Sequence, residues 1–189
     1  LRGTFASSTA SLARASKEDD KGWNIMMDAL SKGSTRGRMD FDFKSDGMWG
    51  EFSAARAVQL VEHIPLTIEE FSIKNANYGL KFMDAVIERV DHFHNLKKLE
   101  IWDTLVGGEE GGQEAGLQFA EMLSTNTTIE VLVLSRTDLI TTGNVEKWGD
   151  ALMQNNTVTK LYIRGVEDEI RNRLKTKTEN RTPKLDISS

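Results

Sequence analysis

Three copies of one apolar spacing set the terms on which this chain can fold. Leu96, Leu99 and Ile101 form an LxxLxI pattern that returns as Ile129, Leu132 and Leu134, and again as Val158, Leu161 and Ile163. The starts lie 33 and 29 residues apart, inside the window of about 20 to 50 residues that marks stacked supersecondary units. The columns before each start align as well. Ten residues upstream stand Val86, Phe119 and Trp148, nine upstream Ile87, Ala120 and Gly149, and six upstream Val90, Leu123 and Leu152. Those offsets fall on one face of a helix. The pattern therefore predicts units of a short strand, a turn and a helix of about three turns. A helix between strands returns the chain so that the next strand runs parallel to the last, and right-handed crossovers put the helices on one side. The expected class is α/β.

Taken in order, the chain divides into a polar tail over 1–18 and one repeat domain over 19–189. The tail is rich in Ser and Thr, carries Arg2, Arg14 and Lys17, and has no acid before Glu18. Two readings of it stay open, an organellar transit-like remnant and an ordinary polar tail. A chain that opens on Leu1 rather than methionine is expected to be processed or a fragment. Trp23, Met26, Met27 and Leu30, closed by Gly33, predict a cap helix over about 20–33. Met39, Phe41 and Phe43, alternating with Asp40, Asp42 and Lys44, predict the first strand. Its helix is expected from about Glu51, burying Phe52, Ala55, Val58 and Val61, with Pro65 ending it. Ile68, Phe71 and Ile73 mark strand two, and Leu80, Met83, Val86, Ile87 and Val90 the helix after it. The run VGGEEGGQEAG from Val106 to Gly116 reads as a long glycine-rich loop that accounts for the 33-residue step. A last helix is expected from about Glu167 to Lys177, then a terminal strand over about 184–188, with Leu185 in the column of Phe41, Phe71, Leu99, Leu132 and Leu161.

LxxLxI followed by a helix ending AEMLSTNTT (Ala120 to Thr128) or DALMQNNT (Asp150 to Thr157) resembles the leucine-rich repeats of the ribonuclease-inhibitor and tropomodulin type. The resemblance covers about residues 38–188. It implies a leucine-rich repeat solenoid with parallel strands on the concave face and helices on the convex face, which binds other proteins and has no activity of its own. One feature of the family is absent: its turn asparagine would fall on Asp46, Ala76, Thr104, Thr137 and Val166. Asn126 and Asn155 sit elsewhere, three residues before a strand pattern. Although both, like Asn180, lie in NxT sequons, we read them as helix-ending residues in the left-handed capping conformation.

Local chemistry narrows the field mostly by exclusion. Zero cysteines leave no disulfide, thiolate metal site or Cys nucleophile and suit a reducing compartment. A net charge of −5 argues against nucleic acid as a general partner, and no apolar run approaches the roughly 20 residues of a membrane span. Gly107, Gly108, Gly111 and Gly112 lack the Lys-Ser or Lys-Thr of a phosphate loop, and Glu109 and Glu110 would repel an anion. A calcium loop counted from Asp42 has Gly47 in place but Lys44 and Ser53 where oxygen ligands are needed. His63, His92 and His94 do not form a ligand or general-base set. No catalytic residue, metal, cofactor or small-molecule substrate is expected.

The candidate site follows from strand alternation. If Leu99, Leu132 and Leu161 point inward, their neighbours point out of the sheet. Trp102, Val131, Val133, Lys160, Tyr162 and Arg164 then form the expected partner-binding patch, with the aromatic, aliphatic and cationic mix of interface hot spots; cover by a neighbouring segment such as the N-terminal tail, or apolar residues present only as strand formers, are the other readings. Arg171, Arg173 and Lys175 form a second candidate, an anion-binding run that equally complements the negative end of its own helix. The sequence thus points to an interaction module, an accessory or scaffold subunit of a larger intracellular complex, with mitochondrion or plastid as the expected site. The alternatives are a free cytosolic adaptor and a binder of anionic surfaces or nucleic acid through the basic C-terminal helix.

Overall fold

The computed structural model describes residues 37–43 and 53–189, together with Met27, Asp28 and Leu30. Strands β1 (Arg38–Asp42), β2 (Glu70–Lys74), β3 (Lys98–Trp102), β4 (Val131–Ser135), β5 (Lys160–Arg164) and β6 (Asp186–Ser188) form one six-stranded sheet in chain order. All five pairings are parallel. Between them lie α1 (Ala54–Glu62), α2 (Leu80–Asp91), α3 (Gly108–Thr125), α4 (Val145–Gln154) and α5 (Asp168–Lys177). The repeated apolar columns fix the register: Phe71, Leu99, Leu132 and Leu161 stand side by side, as do Ile73, Ile101, Leu134 and Ile163.

The helices make one layer, each packed on the next. Their buried residues, among them Phe82, Val86, Phe119, Leu123, Trp148 and Leu152, join these strand residues in a single apolar cluster. Phe119 and Trp148 stack with centroids 5.4 Å apart, which locks α3 to α4. Met27 and Asp28 are helical, and Met27 packs against Leu60 of α1 beside Leu30 and Phe41, so this part of the expected cap helix covers the first unit. The remainder of that helix, Phe52, Asp46 with Gly47 and the tail over 1–18 lie outside the described residues.

Four expectations are corrected. In α1 the buried residues are Ala57, Leu60 and Val61, while Ala55 is exposed and Val58 only partly buried. The helix is rotated relative to the sequence pattern because the edge unit meets Met27 as well as the sheet. In β1 it is Met39, not Phe41, that pairs with Phe71, and in β6 Ile187, not Leu185, that pairs with Leu161. The slip of two residues keeps the same face inward, and Leu185 is buried too.

The third correction concerns the glycine run, which is the first half of an 18-residue helix rather than a loop. The long step between β3 and β4 comes from that extra helix. Glycine costs about 1 kcal/mol relative to alanine inside a helix, so the run needs a compensating contact. The segment between β4 and α4 supplies it. A Cβ on Gly112 would lie 2.4 Å from the Asp138 carbonyl oxygen, and one on Gly116 would lie 2.0 Å from that of Leu139. Asn144, fully buried in that segment, donates to Leu139 O (2.9 Å) and accepts from Thr141 N (2.8 Å). The glycines are a flat track on which this segment runs.

The fourth correction is at Asn126 and Asn155, whose φ,ψ values of −65°,131° and −70°,129° are extended, not left-handed. Their carboxamides do the capping instead. Asn155 Oδ1 accepts from the backbone N–H groups of Thr157 (3.0 Å) and Val158 (2.8 Å), and Nδ2 donates to Leu123 O (2.7 Å) and Asn126 O (2.8 Å). Asn126 Oδ1 likewise accepts from Thr128 N and Ile129 N. The left-handed residues follow the strands: Asn75, Asp103, Arg136 and Gly165. Beside this turn the Thr104 hydroxyl accepts from Ala76 N (3.3 Å) and donates to Trp102 O (2.9 Å). It serves one rung of the position where an asparagine ladder was missed.

Candidate interaction face

On the side of the sheet away from the helices the register assembles three rows. Arg38, Glu70, Lys98, Val131, Lys160 and Asp186 form the first, and Asp40, Ser72, Glu100, Val133, Tyr162 and Ser188 the second. Asp42, Lys74, Trp102, Ser135 and Arg164 form the third.

Over β1 to β3 the face neutralises itself. Arg38 contacts Asp40 (2.8 Å), Glu70 (3.5 Å) and, reaching over β2, Glu100 (2.9 Å), which also takes Lys98 (2.9 Å). The Arg38 pKa is raised, first by its hydrogen bond with Asp40, against the opposing effect of burial. For Asp40 burial works to raise the pKa, yet the hydrogen bond from Arg38 and the charges of Arg38 and Lys74 hold it below the ordinary value. Glu100, only 8% exposed, is therefore a buried carboxylate with two cations.

From Trp102 onward the face changes character. The Arg164 guanidinium lies over the Trp102 ring, 5.8 Å from its centroid, within cation–π range. The two belong to strands separated by β4, and Ser135 beneath them is 2% exposed. The indole Nε1 is buried and has no hydrogen-bond partner among the described residues. Val131 and Tyr162 are half-buried, whereas Lys160 and Arg164 are exposed. Among the described residues neither cation has a carboxylate within ion-pair distance; Asp186, level with Lys160, is exposed and does not pair with it. Five of the six expected patch residues thus offer accessible surface. Val133 does not. It is 6% exposed because it occupies the middle row, walled by Val131, Ser135, Glu100 and Tyr162, and it forms the floor of the patch.

The basic helix is mostly committed elsewhere. Arg171 pairs with Asp168, Arg173 with Glu146 (2.8 Å), and Lys177 with both Glu146 (2.9 Å) and Asp150 (2.8 Å). Lysine 177, through its hydrogen bond, and then Arg173 hold the Glu146 carboxylate below its ordinary pKa; Asp150 and then Glu146 raise that of Lys177. Arg181 is buried, 4% exposed, and donates through Nε (2.8 Å) and Nη2 (2.5 Å) to Asn155 O. Burial lowers its pKa. Of the three residues expected to bind anions, only Lys175 is exposed with no ion pair among the described residues.

His63 and His92 close α1 and α2, each with Nδ1 against a carbonyl of its own helix, Gln59 O at 2.8 Å and Glu88 O at 2.6 Å. Among the described residues no group of three or more His, Asp or Glu is placed to hold a metal ion, and no helix is long and apolar enough to cross a membrane. Sequence reasoning missed the arch of Arg38 over β2 to Glu100, for which alternation gives no signal, and the exposed apolar side chains of Leu105, Leu117 and Met153. These three lie on the β3–α3 turn, α3 and α4.

Compared with models of known protein families and with curated proteins, the sequence matches none.

Proposed function

We propose that this chain is a non-enzymatic protein-interaction module of leucine-rich repeat type, working as an accessory or scaffold subunit of a larger complex. Parallel strands in chain order, each followed by a helix on one side, are consistent with a solenoid of such repeats. The reading rests on one observation above others: the open face carries Trp102, Val131, Lys160, Tyr162 and Arg164 side by side, with both exposed cations lacking a counterion among the described residues. Interfaces draw their binding energy from such aromatic and arginine anchors. A run of cations with partners already in place, as at Arg171 and Arg173, supports anion docking less well.

Crosslinking in the native source identifies the neighbour, and the Trp102→Ala, Tyr162→Ala double variant then tests the face. It is expected to weaken association by at least about 2 kcal/mol while leaving the thermal transition nearly unchanged. Unweakened binding, or migration of the native protein only near its own 21.2 kDa on blue-native electrophoresis, refutes the reading.

A further inference from the structure

We infer that the open face over β4 and β5 receives an acidic segment of a partner protein, with two carboxylates on either side of an apolar side chain. The inference rests on the reading of this face as an interaction surface and names the chemistry of its occupant. Lys160, Tyr162 and Arg164 alternate along one strand, and a parallel strand advances about 3.3 Å per residue, so the backbone positions of the two cations are about 13 Å apart with that of Tyr162 midway, while the Arg164 guanidinium leans across β4 toward Trp102. Val131 lies beside Lys160 and Trp102 beneath Arg164, which gives the apolar contact its walls.

Charge decides the sign of the partner. On β1 to β3 the cations Arg38 and Lys98 are held by Asp40, Glu70 and Glu100. On β4 and β5 the outward positions contain two cations and no acid, in a chain whose net charge is −5. A basic segment would meet Lys160 and Arg164 with like charge, whereas an acidic one pairs with cations that have no counterion among the described residues to give up. Cation–π contact with Trp102 leaves the edges of the Arg164 guanidinium able to donate to a carboxylate. Asp186, exposed next to Lys160, adds a local repulsion that directs the acidic segment toward the β4 side.

The test is selection of random displayed 12-residue peptides on the full chain, run in parallel on the wild type, on Lys160→Glu with Arg164→Glu, and on Trp102→Ala with Tyr162→Ala. Melting curves establish that each variant is folded, and Lys160→Gln with Arg164→Gln replaces the charge reversal if that one is not. The expected result is enrichment of acidic peptides with an apolar residue between the acids. Their affinity should fall at least about 10-fold on the charge-reversed variant, as for an interfacial charge pair, and should weaken with added salt. Enriched peptides that are neutral or basic, yet lost on the aromatic double variant, overturn the acidic occupant and leave the interaction face standing. Peptides indifferent to both variants, or none enriched, overturn both. Heparin bound by wild type and released by charge reversal, with no acidic peptide enriched, makes the occupant a polyanion and also overturns the proposal.

Discussion

At the joint that leads into each strand, the half of the molecule from β4 to β6 uses Asn126, Asn155 and Arg181, while the half before it uses Pro65 and Phe93. The register puts all five in one column, six residues ahead of Leu132, Leu161, Ile187, Phe71 and Leu99. The backbone demand is the same in both halves: a carbonyl at each joint needs a donor from the next unit. In the later half Asn155 and Thr157 donate to Asn126 O, and Arg181 donates to Asn155 O. In the earlier half the Pro65 carbonyl accepts locally from Ile68 N (3.4 Å), the carbonyl of Ile64 one residue before the column takes its donor from Arg89 of the next helix, and Phe93 fills the space by packing edge-on against Phe71 at 5.8 Å. One requirement is thus met by a polar ladder in one half and by aromatic packing with a distant arginine in the other.

The strongest way to break that contrast is to put an apolar residue of similar size at each joint. Asn155→Leu would leave Leu123 O, Asn126 O, Thr157 N and Val158 N with lost partners in a site only 2% exposed. We expect a loss of about 3 to 5 kcal/mol, from several unsatisfied buried groups at once. Phe93→Leu, which removes volume but no hydrogen bond, should cost below about 1.5 kcal/mol. Urea denaturation of both variants decides; equal losses would mean that the two joints are not chemically distinct.

Next in size is a test at α3, the helix that separates the halves. Gly116→Ala drives a methyl into Leu139 O and Asn144 Nδ2, 2.0 and 2.3 Å away. It should destabilise by about 2 to 3 kcal/mol, as overpacking does. Gly111→Ala meets Val106 O at 3.1 Å, so the gain of about 1 kcal/mol in helix propensity should nearly cancel the crowding. A Gly116→Ala protein as stable as the wild type would show that the 136–144 segment is free to move off the helix.

These two tests also mark where the fold was legible in sequence. Leu99, Leu132 and Leu161 announce themselves because a strand pattern repeats along the chain, and the register that follows from them is the one observed. The glycine helix does not, because glycine's low helix propensity is a local rule, and the contact that overrides it comes from Asp138 and Leu139, more than 20 residues on. Asn126 and Asn155 were visible as a column but assigned the wrong conformation, since their side chains rather than their φ angles do the work. At the candidate face, alternation identified the outward residues. It could not tell that Val133 is walled in, or that Arg164 reaches across β4 to Trp102, because both depend on side-chain reach over neighbouring strands.

A smaller effect separates the halves by pH. In the earlier half the depressed carboxylate, Asp40, is paired across the open face; in the later half it is Glu146, paired between α4 and α5. A carboxyl whose folded pKa lies below its unfolded value, about 4.3 for Glu, stabilises the fold above that unfolded value and loses the contribution as pH falls through the folded one. Glu146→Gln should therefore be less stable than wild type near neutrality, with the difference shrinking as the pH drops below about 4.3. Glu146 is fully exposed and screened, so the difference should also shrink with salt. A gap that persists unchanged in acid would mean that Glu146 acts by packing and not by charge.

The smallest expected effect is the most diagnostic of the open face. Trp102 carries a buried indole N–H with no acceptor among the described residues, a penalty of about 1 to 3 kcal/mol in a protein interior. Against it stand the ring's apolar contacts and the overlying Arg164, the latter contributing about 0.5 to 1 kcal/mol at an exposed site. Trp102→Phe removes the orphan donor and keeps a ring under the guanidinium, so loss and gain should cancel to within about 1 kcal/mol. The Arg38 cluster should behave otherwise: Arg38→Met would strand Glu100, a carboxylate only 8% exposed that now takes both Arg38 and Lys98. Chemical denaturation of the pair separates a side chain held in place for structure from one whose replacement the fold tolerates. If Trp102→Phe costs more than about 2 kcal/mol, beyond any cation–π contribution at an exposed site, the ring is a structural member like Arg38. Trp102 would then not be free to anchor a partner on the face over β3 to β5.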